Sequence, residues 1–405
     1  MMTMQSTVQS PDQAPFLDVA DPAFSVSSEA VMEARRRSWY ARTSYGLAIL
    51  RYKEVSALLK DRRLTQGSAK WPERNGVHGG PFAEWWSKTL LNLEGEDHHR
   101  IRRLLNPAFS PRLIAGLTDR FQALADELVD AFHDRGRCEF VKEFAEPYAA
   151  RVLAIMLGIP ESEWERMSNM SNRLSLALGV TIKENIDTIH DALAGLYAYA
   201  DELISDRRAN PGDDFVTRLV MASRDGDRLS DAELRNAIVL LIFGGMDTTK
   251  HQLGLALHTF IQHPDQWQLL AERPELGRAA VEEVMRVNPT TTWVTREAAE
   301  DFEFQGLHIK AGTTIHLFNE AAGTDPEAVP DPGFDITAER PPHFAFGGGM
   351  HHCLGHFVAR SDMSVALPLL ARRLRNPRID GEVESLPRSG NTGFVSLPIA
   401  FTPAA

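Results

Sequence analysis

One stretch of the sequence predicts a helix long enough to cross the whole protein. Ser230 and Glu233 have the spacing of a capping box, so a helix is expected to begin at Asp231. It is expected to end at His263, where a proline follows. About 32 residues at the usual helical rise give roughly 48 Å. Residues 237–243 are apolar on every face, which predicts burial on all sides.

The middle of this predicted helix contains residues that a buried helix disfavours. Gly244 and Gly245 each cost about 1 kcal/mol relative to alanine. Asp247 is expensive to bury without a partner, and Thr248 can hydrogen-bond back to a carbonyl and distort the helix. Two interpretations follow. The segment is either a groove where a hydroxyl and an acid relay protons, or a solvated turn on the surface.

Composition excludes several classes of function. The 405 residues carry a formal charge of −12, which argues against a general nucleic-acid binder. The longest apolar run, residues 237–245, is too short to cross a bilayer, and the N-terminus lacks the pattern of a secretory signal. Two cysteines, Cys138 and Cys353, do not form a disulfide framework, so a reducing cytoplasm is expected.

The distribution of periodic patterns predicts the fold class. Helical periodicity dominates residues 97–270, and short strands are expected within 291–318. No Gly/Ser linker divides the chain, so we expect a mainly α fold with small β-sheets (α+β), in one domain over 16–405. Residues 1–15 are expected to be a flexible tail. The loop predicted over 67–92 is long enough to suggest a function.

Cys353 lies in the unusual sequence FGGGMHHCLG, and three interpretations of it remain open. It could be an inert buried thiol, which is common for a lone cysteine. It could bind zinc together with His352 and His356, although one thiol and adjacent residues make closure difficult. It could also be the thiolate ligand of a haem iron, which needs only one cysteine. A helix is expected to begin near Cys353, and its N-terminus would lower the thiol pKa.

Two further patterns place charged residues one helical turn apart. Arg286 can meet either Glu282 or Glu283, and such a pair is most often an ordinary surface ion pair. His98 and Arg102 can together bind a carboxylate or phosphate, or form a solvated basic face. Spacing alone does not separate these alternatives.

These stretches, taken together, resemble the cytochrome P450 family. The sequence FGGGMHHCLG matches the family's haem-thiolate loop, F-G-x-G-x-H-x-C-x-G, at every fixed position. The segments that resemble the family occur in its order and cover most of the chain: 98–112, 136–160, 244–249, 282–286, 295–318 and 346–355. LEGEDHH replaces the usual D-P-P-E-H, and AAGTDP replaces A-A-N-R-D-P, so some local contacts are expected to differ.

The resemblance implies a haem b group between the long central helix and the cysteine loop. Cys353 would be the axial ligand of the iron, with Phe346 beside it. Four residues would bind the haem propionates through charge-assisted hydrogen bonds: His98, Arg102, Arg296 and His351.

The resemblance also implies roles for residues outside the haem-binding set. Asp247 and Thr248 would deliver protons to dioxygen, and Glu283 with Arg286 would stabilise the core behind the haem. Glu283, not Glu282, is then the expected partner of Arg286.

The implied activity is that of a monooxygenase that activates O₂ and inserts one oxygen atom into a small organic molecule. Electrons would come from NAD(P)H through a separate ferredoxin or flavodoxin and its reductase, because the chain has neither the length for a fused reductase nor a cysteine cluster. We expect a monomer with no membrane or nucleic-acid partner, and a docking face formed by basic residues: Arg102, Arg103, Arg112 and Arg360.

The resemblance further suggests a substrate pocket that is mostly apolar and aromatic, suited to a bulky molecule of secondary metabolism. The candidate lining residues come from four segments: Trp85, Trp86, Leu90, Leu91, Leu240, Phe243, Gly244, Thr292, Trp293, Val294, Phe394 and Val395. Each of them could instead be part of the packed core.

Two other functions would also use a haem bound by the Cys353 thiolate. A haem-thiolate peroxygenase would take peroxide directly but usually lacks an acid–alcohol pair such as Asp247–Thr248. A non-catalytic haem sensor would keep Cys353 and would not need Thr248.

Overall fold

Helices make up most of the chain, and the strands are short. A computed structural model describes residues 14–404 except 22, 180, 213, 223–228 and 389. The α-helices are α1 (Glu29–Arg37), α2 (Tyr52–Leu58), α3 (Trp71–Arg74), α4 (Pro81–Ser87), α5 (Gly95–Leu105), α6 (Pro111–Ala115), α7 (Thr118–Asp130), α8 (Glu146–Leu157), α9 (Trp164–Ser175), α10 (Ile186–Ala209), α11 (Phe215–Ala222), α12 (Asp231–Gln262), α13 (Pro264–Glu272), α14 (Gly277–Val287), α15 (Asn319–Gly323) and α16 (His356–Arg373). The strands are β1 (Phe16–Leu17), β2 (Tyr40–Thr43), β3 (Gly46–Ile49), β4 (Leu64–Gln66), β5 (Arg137–Glu139), β6 (Trp293–Ala298), β7 (Phe302–Phe304), β8 (Leu307–Ile309), β9 (Thr314–Phe318), β10 (Leu374–Ile379), β11 (Glu384–Ser385), β12 (Phe394–Ser396) and β13 (Pro398–Pro403).

The long helix predicted from the capping box is α12. The Ser230 hydroxyl accepts a hydrogen bond from the Glu233 N–H at 3.3 Å, and the Glu233 carboxylate accepts one from the Ser230 N–H at 2.7 Å. The helix continues without interruption through the Gly-Gly-Met-Asp-Thr-Thr segment. It packs against α8, α9 and α10, so its middle turns are largely buried, as the apolar run predicted.

The cap gives a first testable expectation. Replacing Ser230 with alanine should lower the free energy of unfolding by about 1 kcal/mol, because the N–H of Glu233 loses its acceptor. Urea denaturation of the two proteins measures this difference. Replacing the exposed Ser87, whose hydroxyl bonds only to the Glu84 carbonyl of its own helix, is the control. Equal stability of the Ser230 variant and the parent protein would show that the cap contributes nothing.

A six-stranded sheet lies beside the helical part, in the order β1-β2-β3-β9-β6-β4. Strands β2 and β3 form an antiparallel hairpin, with Tyr40 paired to Ile49. In β6, the register pairs Arg296 with Ile315 and Trp293 with Phe318. Because side chains alternate along a strand, β6 presents Arg296 on one face and Trp293 on the other.

Three expectations about segments need correction or restriction. The helix expected near Cys353 begins three residues later, at His356, with Gly355 as its N-cap. The 67–92 segment is less irregular than expected, because it contains α3 and α4. The predicted tail, residues 1–15, lies almost entirely outside the described residues. Among the helices that are described, none is long and apolar enough to span a bilayer.

Candidate functional site

The cysteine loop is fixed by backbone hydrogen bonds and by glycines. The N–H of Cys353 donates to the Phe346 carbonyl at 2.9 Å, which closes the loop. Gly347 and Gly349 have φ of +66° and +67°, a region that favours glycine. A Cβ on Gly349 would lie 2.4 Å from the Leu59 carbonyl oxygen, so the loop and the end of α2 meet where a side chain cannot fit.

Cys353 is solvent-exposed at the end of this loop. Protein atoms surround it on most sides, yet it keeps solvent-accessible surface. Burial raises its pKa, and the N–H groups of Gly355 and His356 and the positive charge of Arg102 oppose this only partly. The expectation of a lowered pKa at a helix end is therefore wrong for the free thiol. Two of the first N–H groups of α16 do point at the sulfur, so the loop provides donors for a thiolate ligand.

Imidazoles and guanidinium groups converge beside this loop. The rings of His98 and His351 lie 4.5 Å apart, and the Arg102 guanidinium donates to the His352 carbonyl. Arg296 is 4% exposed and donates to the Gly348 carbonyl at 3.4 Å. The residues predicted to bind propionates, from α5, β6 and the cysteine loop, are thus brought together.

The electrostatics of this cluster suit an anionic ligand. Burial lowers the pKa of His98 to about 4, with a further contribution from His351, so His98 is neutral at pH 7. His98 is 1% exposed, and neither ring nitrogen has a hydrogen-bond partner among the described residues. Burial lowers the pKa of Arg296 to about 10, which still leaves its guanidinium charged at neutral pH.

Glu94 joins the same cluster and was not predicted from the sequence. Its carboxylate lies 3.0 Å from His351 Nε2 and accepts a hydrogen bond from the Gln66 N–H at 2.5 Å. His351 therefore already has a partner, unlike His98. Glu94 is the second residue of the LEGEDHH segment that departs from the family pattern, and that departure was the available signal.

Asp247 and Thr248 form a second group, on α12. The Thr248 hydroxyl donates to the Gly244 carbonyl one turn earlier, at 2.8 Å. Gly244 is exposed although Phe243 before it is buried, and a Cβ on Gly244 would meet no atom within 4 Å. The segment is therefore open at Gly244 within a mostly buried helix, and the relay of protons through it stays a prediction.

The Asp247 carboxylate has two basic partners that sequence reasoning missed. Oδ1 lies 3.1 Å from Lys250 Nζ and 3.3 Å from His251 Nε2, and all three side chains are largely buried. Although burial opposes ionisation, the hydrogen bond from His251 and the charge of Lys250 hold the pKa of Asp247 well below its usual range. The i, i+3 and i, i+4 spacings in the sequence were the signal for these contacts.

Glu283 and Arg286 form a bidentate ion pair in the core. The two distances are 2.7 Å from Nε to Oε2 and 2.6 Å from Nη2 to Oε1. Arg286 is 2% exposed and also donates to the carbonyls of Gly323, Pro332 and Gly333. Glu282 instead lies 3.1 Å from both His343 Nε2 and Arg360 Nη2. The ordinary surface pair is thus excluded for Arg286.

The pocket candidates before and within α12 fall into two environments. Trp85 is 1% exposed and contacts the Phe243 ring edge-on, with 5.8 Å between centroids. Trp86 donates its indole N–H to the Ser68 carbonyl at 2.8 Å, so its ring is held within the packed core. Leu240 packs partly buried against the same core, while Leu91 is 37% exposed.

The candidates after Arg286 are separated by strand alternation. Val294 would contact a Cβ on Gly347 at 3.6 Å, so it faces the cysteine loop. Thr292 lies two residues before Val294 in the chain. It is fully buried, and its hydroxyl donates to the Gly390 carbonyl. The Trp293 ring instead stacks on Phe318 on the opposite face, with 5.3 Å between centroids, so it does not lie on the same side as Val294.

The two candidates in the C-terminal turn also differ. Phe394 is buried and packs on His258 of α12, with 5.0 Å between ring centroids. Val395, next to it, is 40% exposed.

The comparison with protein-family models decides the family. The model described as cytochrome P450 matches residues 64–400. The chain belongs to the cytochrome P450 family.

Similar proteins cover this P450 almost completely. Luteothin monooxygenase from Streptomyces thioluteus is 38% identical over 99% of both chains. The polyketide biosynthesis cytochrome P450 PksS from Bacillus subtilis strain 168 is 30% identical over 87% of this chain and 88% of that one. The solved structure of CalO2 is 29% identical, has a TM-score of 0.87, and matches 95% of this chain and 100% of that one. The protein is therefore a cytochrome P450 monooxygenase with the predicted, mainly helical fold.

The residues of this P450 fit the haem that the family carries. An accessible cysteine has backbone donors aimed at its sulfur, His98 has two unpartnered buried nitrogens, and Arg296 is a buried cation of the same cluster. These groups match the iron and the carboxylates of a haem. The zinc interpretation lacks such support, because no group of three metal-ligating side chains occurs in the part of the chain that is described.

Proposed function

We propose that this P450 inserts one oxygen atom from O₂ into a bulky apolar or aromatic small molecule of secondary metabolism. The observation that carries the proposal is the open position at Gly244 in α12, where the Thr248 hydroxyl bonds to the Gly244 carbonyl within a continuous and otherwise largely buried helix. Two relatives, a luteothin monooxygenase and a polyketide biosynthesis P450, support the substrate class.

Five residues would hold the haem in this proposal. Cys353 would bind the iron as thiolate. His98, Arg102, Arg296 and His351 would hold the propionates. Neutral His98 would donate one ring N–H, and Arg296 would bring a positive charge that burial keeps from water. When bound, the haem supplies the redox chemistry that activates O₂. Phe346 would pack beside the ligand loop, where its ring already lies 4.3 Å from the Arg360 guanidinium carbon.

Thr248 and Asp247 would deliver protons. The Thr248 hydroxyl keeps its lone pairs available, because its own proton is donated to the Gly244 carbonyl. Lys250 and His251 hold Asp247 as an anion, so it would carry a proton only transiently before passing it to the neighbouring Thr248. Proton transfer by positioned groups contributes about 10²–10⁴-fold to enzyme rates.

Replacing Thr248 with valine tests this role. The change keeps the shape and removes the hydroxyl, so product formed per NAD(P)H consumed should fall about tenfold or more. The measurement compares the product formed with the NAD(P)H consumed when a ferredoxin system supplies the electrons. Thr259→Val is the control, since Thr259 makes the same bond to the carbonyl four residues earlier on α12, although it also accepts a hydrogen bond from Asn288 at 3.0 Å. Unchanged coupling in the Thr248 variant would exclude the relay.

Electrons would come from NAD(P)H through a ferredoxin or flavodoxin and its reductase, arriving at a basic face. Arg103 and Arg112 are exposed and suited to docking. Arg102 and Arg360 are partly buried and bonded to the His352 carbonyl and to Glu282, so they would contribute charge more than contact. Turnover with this electron supply and no added peroxide separates the proposal from a peroxygenase or a haem sensor. We further propose a cytoplasmic monomer with its haem in a single domain over 16–405.

A further inference from the structure

A polar stripe runs along the buried side of α9. Ser168, Ser171, Asn172 and Ser175 are spaced at i, i+3, i+4 and i+7, so they share one face of the helix. Ser168 is 2% exposed and Ser171 is 1% exposed. The side of a helix that packs against other helices is normally apolar. This face therefore departs from what packing alone would select.

The stripe is connected to Asp247. Lys250 Nζ lies 3.1 Å from Asp247 Oδ1 and donates to Asn172 Oδ1 at 2.9 Å. Asn172 Nδ2 donates to Glu146 Oε1 at 2.7 Å, and the Ser168 hydroxyl donates to the same oxygen. Glu146 begins α8 and is half-buried. Polar contacts thus run without a break from Glu146 to Asp247 on α12.

Two hydroxyls of the stripe have no partner. Ser171 Oγ and Ser175 Oγ are buried, and neither has a hydrogen bond to any described residue. Leaving a buried hydroxyl unsatisfied costs about 1–3 kcal/mol, and such groups are usually bonded to ordered water. Serines in helices can bond to a carbonyl of their own helix, but these two do not. Both are therefore available to hold water within the helix packing.

We propose that the stripe conducts protons from solvent at Glu146 to Asp247 through water held by Ser168, Ser171 and Ser175. Each transfer breaks an O–H bond on one oxygen and forms one on the next. All hydroxyls and waters are regenerated, and one proton taken up at Glu146 ends on the Asp247 carboxylate. Lys250 and Asn172 are positioning residues that fix the inner end of the route. The inference depends on the proposed role of Asp247 as a proton donor.

A structural measurement tests the route without turnover. A high-resolution crystal structure of the haem-loaded protein should contain ordered waters within hydrogen-bond distance of Ser171 Oγ and Ser175 Oγ. A stripe without water, with its hydroxyls turned to helix carbonyls, would overturn the proposal.

A kinetic measurement tests its use. In the double variant Ser171→Ala/Ser175→Ala and in Glu146→Gln, product formed per NAD(P)H should fall at least about threefold, with a changed solvent isotope effect. Turnover driven by hydrogen peroxide, which brings its own protons, should not change. Ser364→Ala is the control, because that hydroxyl bonds only to the Ser361 carbonyl on α16.

Comparison with Asp247→Asn distinguishes a failure of the proton route from a failure of the proposed role of Asp247. If Asp247→Asn lowers coupling and the stripe variants do not, the route is wrong and the proposed function stands. If Asp247→Asn also leaves coupling unchanged, both the route and the proton-donor role of Asp247 are wrong.

Discussion

Replacing Arg286 with methionine is expected to lower the free energy of unfolding by about 3–5 kcal/mol. The variant leaves the Glu283 carboxylate, 3% exposed, without its bidentate partner. It also removes the donors to the Gly323, Pro332 and Gly333 carbonyls. Urea titration of the haem-loaded protein, followed by circular dichroism, measures the change.

An exposed pair provides the control for this prediction. Arg273 and Glu275 lie 3.0 Å apart with side chains more than half exposed, so Arg273→Met should change stability by less than about 1 kcal/mol. Similar losses in the two variants would contradict the claim that burial of the Glu283–Arg286 pair makes it important.

The second large effect is expected for Gly349→Ala in the cysteine loop. A Cβ there would lie 2.4 Å from the Leu59 carbonyl oxygen, and the residue has φ of +67°. The backbone must move, so we expect a loss of about 2–5 kcal/mol from strain and overpacking together. The displaced loop should also bind less haem per protein, which absorption of the purified variant measures.

Gly312→Ala separates the two causes. Gly312 has φ of +79°, but a Cβ there would meet no atom within 4 Å. It should therefore show only the conformational cost, about 1–2 kcal/mol, with full haem content. If both variants lost the same stability and kept the same haem, the close approach to Leu59 would have no consequence.

Local sequence patterns predicted the parts of the fold that depend on neighbouring residues. The capping box at Ser230 and the proline after His263 located α12 almost to the residue, because caps and stops act within one turn. The i, i+3 and i, i+4 spacing of Asp247, Lys250 and His251 likewise permits the ion pairs that they form. Period-two alternation likewise implied that Trp293 could not share a face with Val294.

Contacts between distant segments could not be predicted in this way. Spacing allowed both Glu282 and Glu283 to meet Arg286, and the choice depends on carbonyls more than 30 residues away. The contact of Glu94 with His351 joins residues 257 apart in the chain. The polar face of α9 is connected to Asp247 because α12 places Lys250 beside Asn172. Such features depend on tertiary packing, which has no local signal.

The most direct test of the central claim is the absorption spectrum of the haem-loaded protein after reduction and exposure to carbon monoxide. If Cys353 binds the iron as thiolate, the wild type should have the strongly red-shifted Soret band that this ligand produces, and Cys353→Ser should lose it. A haem-loaded wild type without that band, or a Cys353→Ser protein that keeps it, would contradict the assignment.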